Sequence, residues 1–533
     1  MPIRSHTSEE DAALFKPILE TGRGFYITVS ILLAIVLWAV YAYLYQLRHG
    51  LGVTGMNRPV YWGIYIVNFV FFIGISHAGT LISAILRLCR AEWRRAITRS
   101  AEMITVLVLF FGVASIVMDM GRPDRLLYVI KYAHFSSPLL WDLTSITTYL
   151  TASTIYLYLP LIPDVALLRD RVSGWRKRLY TALALGWKGT EKQQRRLNLA
   201  IGIMAVLVIP IAVSVHTVVS WVFGMTIQPL WHSTIFGPYF VVGAIYSGIA
   251  ALILAMVVIR RVYHLEGYLK PIHFHNLGLL LLVMNLLWFY FVLAEHITVF
   301  YGMEPTQMRV FHEHLMGGYA PHFWTMVACM AAVFLTLTLP KLLAPVLAKI
   351  PIPAMRPVPR LAIAAAAGFV VLAVSTGWGI VMAGEVGRAT GPFLYWTAVA
   401  FLVFLFFSTI PSLKANPVAQ TVIASVFVTI GMWLERFIIV VPTLVNPRLP
   451  YPRGSYHPTW VEWSLLAGCV AMFLLLCVLF TKLFPIVSIW EVREGREVGL
   501  KETEERIKMY LPGEGKEVTK PEEAGWGWKG GFR

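Results

Sequence analysis

The chain has 533 residues, of which 57% are hydrophobic and only 14% charged, and its mean hydropathy is +0.67. A soluble domain carries about 25% charged residues, so lipid must solvate most of this surface, and a string of soluble domains is excluded. The formal net charge of +16 sits in short loops between apolar runs, as loops held on the cytoplasmic side do, which argues against a nucleic-acid partner.

A spanning helix needs about 20 mainly apolar residues. Residues 1–25 read as a polar N-terminal segment without the basic, apolar and small-residue parts of a secretory signal. Apolar runs follow near 26–46, 60–88, 101–118, 138–162, 198–224, 238–263, 277–301, 322–346, 361–384, 393–411, 418–441 and 462–484. The expected fold is therefore all-α, a polytopic transmembrane bundle over 26–484 with about 12 helices, the range being 10–12. Residues 485–533 read as a charged tail. Within it Ile489 to Tyr510 can form an amphipathic surface helix, and a solvated tail is favoured over a docking site.

Loops after the even-numbered runs hold twenty-two Lys and Arg, among them Arg87, Arg94, Arg95, Arg99, Arg176 and Arg260, against nine after the odd-numbered runs. This bias in short loops places them on the cytoplasmic side. Both termini are then cytoplasmic, and the chain belongs in the inner (cytoplasmic) membrane. The four cysteines, Cys89, Cys329, Cys469 and Cys477, lie in or beside apolar runs without ferredoxin-like spacing. Neither a disulfide framework, nor an iron–sulfur site, nor any metal site is expected here.

Ionisable groups are costly in hydrocarbon and mark function by default. With this orientation Asp119 ends the third run on the outer side, and Asp142 begins the fourth. Asn68, His216, Glu295, His296, Glu435 and Arg436 fall in the outer parts of their helices. Any one of them can be a paired charge holding helices together, Glu435 with Arg436 above all. The cluster as a whole suits a quinol, whose two protons need acids or bases near its hydroxyls and an outer exit to water. Asp142 is the first candidate, and the neighbouring Trp141 reads as an interfacial anchor. His77 sits in the inner half of the second helix among small residues, with no partner expected at its depth. Haem ligation, a proton relay and a helix–helix hydrogen bond stay open for it. Bis-histidine haem needs two rings at one depth, so no haem is expected. His312, Glu313 and His314 are too compressed for a zinc motif and read as ordinary loop.

Tyr61 to Phe69 running into His77-Ala78-Gly79-Thr80, Ser137 to Asp142, Leu161 to Asp164, Ser214 to Ser220, Trp231 to Phe236 and Gly431 to Phe437 resemble the NrfD/polysulfide-reductase membrane-subunit family. More narrowly, they are similar to the quinol-oxidising membrane subunit of alternative complex III. The resemblance implies a quinol, with menaquinone as its quinone, bound near the periplasmic face. Electrons would pass to a ferredoxin-like iron–sulfur subunit and to molybdopterin-type or multihaem cytochrome subunits, with other membrane subunits alongside. It also implies no redox centre in this chain. One His and two Asp serve the site in the complex III subunits. Asp142 matches one acid, Asp119 stands where the His is expected, and Val222 stands at the second acid. The expected assignment is thus Asp142 and Asp119 as catalytic, with Asn68, His216, Trp62 and Tyr65 lining the quinone pocket. A redox-coupled proton path would use His77, Glu295, Glu435 and Arg436. Two other classes compete: a secondary transporter or proton channel without redox role, for which no pair of broken helices at corresponding positions is evident, and a bare anchor, for which one or two helices suffice.

Overall fold

The computed structural model describes residues 14–18, 20–347 and 416–495. Among these residues ten helices are long and apolar enough to cross a membrane. They are α1 (Arg23–His49), α2 (Ile64–Leu88), α3 (Thr98–Asp119), α4 (Pro138–Arg169), α6 (Glu191–Gly224), α7 (Phe236–Val262), α8 (Pro271–Gly302), α10 (Ala320–Leu347), α11 (Pro417–Val445) and α12 (Trp460–Leu483). Shorter helices lie in the connections, among them α5 (Gly174–Leu183) and α9 (Pro305–Leu315). The ten spanning helices answer ten of the twelve expected runs. The runs at 361–384 and 393–411 lie outside the described residues. The chain is an all-helical, polytopic membrane protein.

The helices alternate in direction, so the connections gather on two faces. Face A carries the segments 50–63, 120–137, 225–235, 303–319 and 446–459; face B carries 89–97, 170–190, 263–270 and 484–495. Cross-links hold face A together: Gly55 N donates to Glu462 Oε2 at 2.8 Å and Asn57 Nδ2 to the Ser455 carbonyl at 2.6 Å. On face B, Lys482 Nζ donates to the carbonyls of Pro17 and Glu20, each at 2.6 Å.

The core is built around α2, which is 88% buried across its most apolar window, whereas α1 is 17% buried and turns Leu33, Leu37 and Trp38 outward. Helix α2 packs on α3, α6, α7 and α11. Lipid supplies no hydrophobic drive between helices, so close approach depends on small residues. At Gly79 a Cβ would land on the Ala101 carbonyl and Thr105 of α3. Helices α2, α3, α4 and α6 form one bundle and α7, α8, α10 and α11 another, with the α2–α7 contact as the seam.

Three expectations are corrected. His314 belongs to α9 and is 5% exposed, because the polar-looking stretch folds as a helix whose inner side packs on Phe323. The boundary at 484/485 falls inside packed structure: Ile486, Val487, Ile489, Trp490 and Glu491 are all buried. Their pull inward is electrostatic. Helix α4, with Pro160 and Pro163 inside it, presents Asp164 to the backbone amides of Ile489 and Trp490 at 3.1 and 3.0 Å. Arg87 and Arg94 hold Glu491. The third correction concerns His77. Its ring centroid is 3.8 Å from that of His216. Side chains lean toward the N-terminus of their own helix, so on antiparallel α2 and α6 the two rings reach toward each other and close a gap in depth that sequence position exaggerates.

Candidate functional site

The expected site residues fall into three neighbourhoods. The first is on face A between α1, α2, α3 and α12. Tyr65 Oη donates to Gln46 Oε1 at 2.5 Å, and Gln46 Nε2 donates to the Met118 carbonyl at 2.7 Å. Asp119, the last residue of α3, lies within coulombic reach of Glu462. Its Oδ1 is buried without a hydrogen-bond partner. Glu462 is fully buried and satisfied by Tyr456 Oη at 2.5 Å and the amides of Gly55 and Thr459. The sequence carried a signal for it, since Thr459 with Glu462 three residues on is a capping box, and both of its bonds form. Burial and the Glu462 carboxylate push the Tyr456 phenol up, against the opposing effect of the Ile64 amide that donates to its oxygen at 2.8 Å.

Asp142 stands at the start of α4 on the same face, 8% exposed, with Oδ1 likewise buried and unpartnered. No contact between Asp119 and Asp142 is seen among the described residues.

The second neighbourhood lies along the seam. Asn68 Oδ1 accepts from Trp433 Nε1 at 3.0 Å. His77 and His216 are both fully buried. Arg436 lies over the Phe240 ring at 4.8 Å and 3.2 Å from Glu435, and Glu435 Oε1 accepts from Trp288 Nε1 at 2.5 Å. The pairing of Glu435 with Arg436 is therefore present. Gly243 of α7 admits it, because a Cβ there would stand 2.6 Å from Arg436 Nη2.

The third is a cleft of about 60 Å³ opening toward face A, lined among others by Trp231, Tyr239, Glu295, His296, His314 and Glu435. Ser233 Oγ donates to Glu295 Oε2 at 2.7 Å. Trp62 stacks on Trp231 at 5.9 Å and so stands behind the cleft wall rather than in it. Of the expected residues, then, the structure brings Glu295 and Glu435 to one cleft and His77 and His216 to one contact. Asp119 with Tyr65, and Asp142, stand apart from these. Sequence reasoning passed over Glu102 and Arg99. Glu102 is 1% exposed, and its place as the second residue of the third apolar run was the available signal. Among the described residues no group of three His, Cys, Asp or Glu is placed to hold a metal ion.

Comparison with known proteins adds to this geometry. A putative membrane subunit of the dimethyl sulfoxide reductase of Halobacterium salinarum is 28% identical over 259 residues, 48% of this chain and 56% of that protein. A selenate reductase subunit of Mesobacillus selenatarsenatis is 25% identical over 235 residues, 43% of this chain and 55% of the relative. An Hdr-like menaquinol oxidoreductase integral membrane subunit of Archaeoglobus fulgidus is 24% identical over 303 residues, 57% and 66% of the two chains. The chain thus spans little more than half the length of the first two relatives. The profile described as polysulphide reductase, NrfD, matches residues 52–376. That match runs from the first face-A connection past α10 and takes in more than half of the sequence, and the chain belongs to the NrfD family.

Proposed function

We propose that this chain is the quinone-reactive membrane subunit of a multi-subunit respiratory oxidoreductase, with its quinol chemistry at face A. The quinol gives up two protons and two electrons. Asp142 and Asp119 accept the protons and release them to water at face A, and the electrons leave to an iron–sulfur or haem centre in a partner subunit. Reversal of the same steps reduces a quinone. Face A is taken as the periplasmic side and both termini as cytoplasmic.

One observation carries this reading: Asp119 and Asp142 each bury a carboxylate oxygen that has no hydrogen-bond partner, on one face of an apolar bundle. A buried polar atom left unmatched costs about 1–3 kcal/mol, which a hydrogen-bond donor on a bound molecule would recover. A quinol hydroxyl would offer the missing donor. The relatives support the setting, since all three are named as reductase or oxidoreductase subunits, and one of the names includes menaquinol. Menaquinol is accordingly the carrier we favour, and a subunit of the alternative complex III type stays part of the proposal on the motif resemblance alone.

Partners of the molybdopterin, iron–sulfur or multihaem cytochrome class are part of the proposal, in keeping with relatives that are named as subunits of reductases and oxidoreductases. The cleft, too small for a naphthoquinone ring, serves protons instead, with Glu295 and Glu435 in its lining; Arg436 pairs with Glu435, and the His77–His216 contact lies further along the seam. Replacing Asp142 with Asn in the intact complex is the test. Quinol-linked electron transfer should fall by about 10²-fold, as for loss of a general base. A rate equal to wild type would remove Asp142 from the mechanism.

A further inference from the structure

The face-B half of the bundle holds a buried carboxylate that the quinol chemistry leaves unused. Glu102 Oε1 accepts from Ser83 Oγ at 2.7 Å, while Oε2 is buried with no hydrogen-bond partner. It lies within coulombic reach of Arg87, Arg99 and Glu491. Neither arginine is committed to it, because Arg87 pairs with Glu491 and Arg99 with Asp164.

From Glu102 a file of hydroxyls runs toward the middle of the membrane. Ser83 Oγ is 3.2 Å from Tyr156 Oη. Three residues away on each helix, a step of about 4.5 Å, Thr80 Oγ1 and Ser153 Oγ are 3.4 Å apart. The Tyr149 hydroxyl stands among Thr80, Ser153 and Ser76, donating to the Ser76 carbonyl at 3.0 Å. Its ring lies 5.1 Å from His77.

His77 stands against two acceptors. Nδ1 is 3.0 Å from the Ile73 carbonyl oxygen and Nε2 is 2.5 Å from that of Ala212. Carbonyl oxygens only accept, and a neutral imidazole has a single N–H, so both contacts are satisfied only when the ring is doubly protonated. His216, 3.8 Å away between ring centroids and with neither nitrogen hydrogen-bonded, offers a lone pair to take that proton onward. Past it stand Arg436 and then Glu435, which lines the cleft on face A. A water needs about 10–15 Å³, so a cavity of about 60 Å³ takes a few waters.

Helix–helix adhesion accounts for the Ser83–Glu102 bond. It leaves the second Glu102 oxygen and the second carbonyl at His77 unexplained. We infer that the file from Glu102 through Ser83, Tyr156, Ser153, Thr80 and Tyr149 to the His77–His216 pair conducts protons between face B and the face-A cleft, with Glu102 as its face-B terminus. Each hop breaks one O–H or N–H bond as the next forms, and the file returns to its starting charge once the proton has left. The inference rests on the proposed quinol reading, which supplies the driving force.

The test uses the intact complex in vesicles of phosphatidylethanolamine and phosphatidylglycerol with a pH dye in the lumen and face B inward. Turnover is started with dimethylnaphthoquinol and ferricyanide. Glu102→Gln should keep the electron-transfer rate measured with a protonophore, while lumen protons taken up per electron fall about tenfold. Tyr156→Phe removes one oxygen, keeps the packing and should lower the same ratio, so the test stands even where Glu102→Gln does not assemble. An unchanged ratio in these variants overturns the route. Wild-type electron transfer without lumen proton uptake overturns the route alone, and wild-type complex that passes no electrons from the quinol overturns the quinol reading instead.

Discussion

Arg99 and Asp164 are both completely buried, with Nη2 3.0 Å from Oδ2. Arg99 also donates to the Pro160 carbonyl at 2.9 Å, inside α4. Removing one partner of such a pair strands a charge away from water, at a cost of about 3–5 kcal/mol. Arg99→Met should therefore lower the detergent unfolding temperature sharply, as followed by tryptophan fluorescence, whereas a surface change such as Arg195→Met should not. His314 predicts a pH effect. It lies in the short α9, outside the spanning helices, and burial with His296 nearby lowers its pKa to about 3. The unfolded chain then binds a proton that the folded chain refuses below about pH 6.5, so stability is full above that pH and falls on acidification, by about 1.4 kcal/mol per pH unit. His314→Phe should flatten the acid limb of a melting-temperature profile between pH 6.5 and 4.5; an unaltered slope would show that other groups set it.

Among the elements, α2 depends most on closeness. Gly79→Ala drives a methyl group into the α3 backbone at Ala101, and overpacking of a tight core costs about 1–3 kcal/mol. Gly202→Ala on α6, where a Cβ meets nothing within 4 Å, is the control. The first variant should melt earlier and the second should match wild type or exceed it by up to about 1 kcal/mol, following helix propensity. This contrast bears on what sequence alone reveals. The spanning helices are legible because hydrocarbon demands a long apolar run whatever the neighbours are. The short α5 and α9 are not, because their mixed faces resemble loop until a partner surface is known. The match of His77 with His216 is hidden for a related reason: residue counting fixes the depth of a Cα, not the direction in which two antiparallel side chains lean. Glu435 with Arg436 is legible, being adjacent in sequence, but their placement beside a cleft formed by five other segments is not.

At the scale of the whole molecule, the buried 486–491 segment ties the end of α12 back onto α3 and α4, and the two faces become chemically distinct. Face B is crowded with guanidinium groups: Arg87, Arg94, Arg95 and Arg99 meet Glu491, Glu494 and Asp164. Face A has Asp119 and Asp142, each with an unmatched carboxylate oxygen, and the cleft. The excess of Lys and Arg in face-B loops argues that face B is cytoplasmic. Cys89 makes that checkable without any substitution, since it is exposed at the face-B end of α2 while Cys329 and Cys469 are buried. A membrane-impermeant maleimide should leave Cys89 unmodified in intact cells and label it in inverted vesicles. A cysteine placed at the exposed Ser136 on face A should react in the opposite pattern. Labelling of Cys89 from outside would invert the protein, turn Asp119 and Asp142, the proposed quinol acids, toward the cytoplasm, and make face A the side from which the protons of the proposed reaction are exchanged with the cell interior.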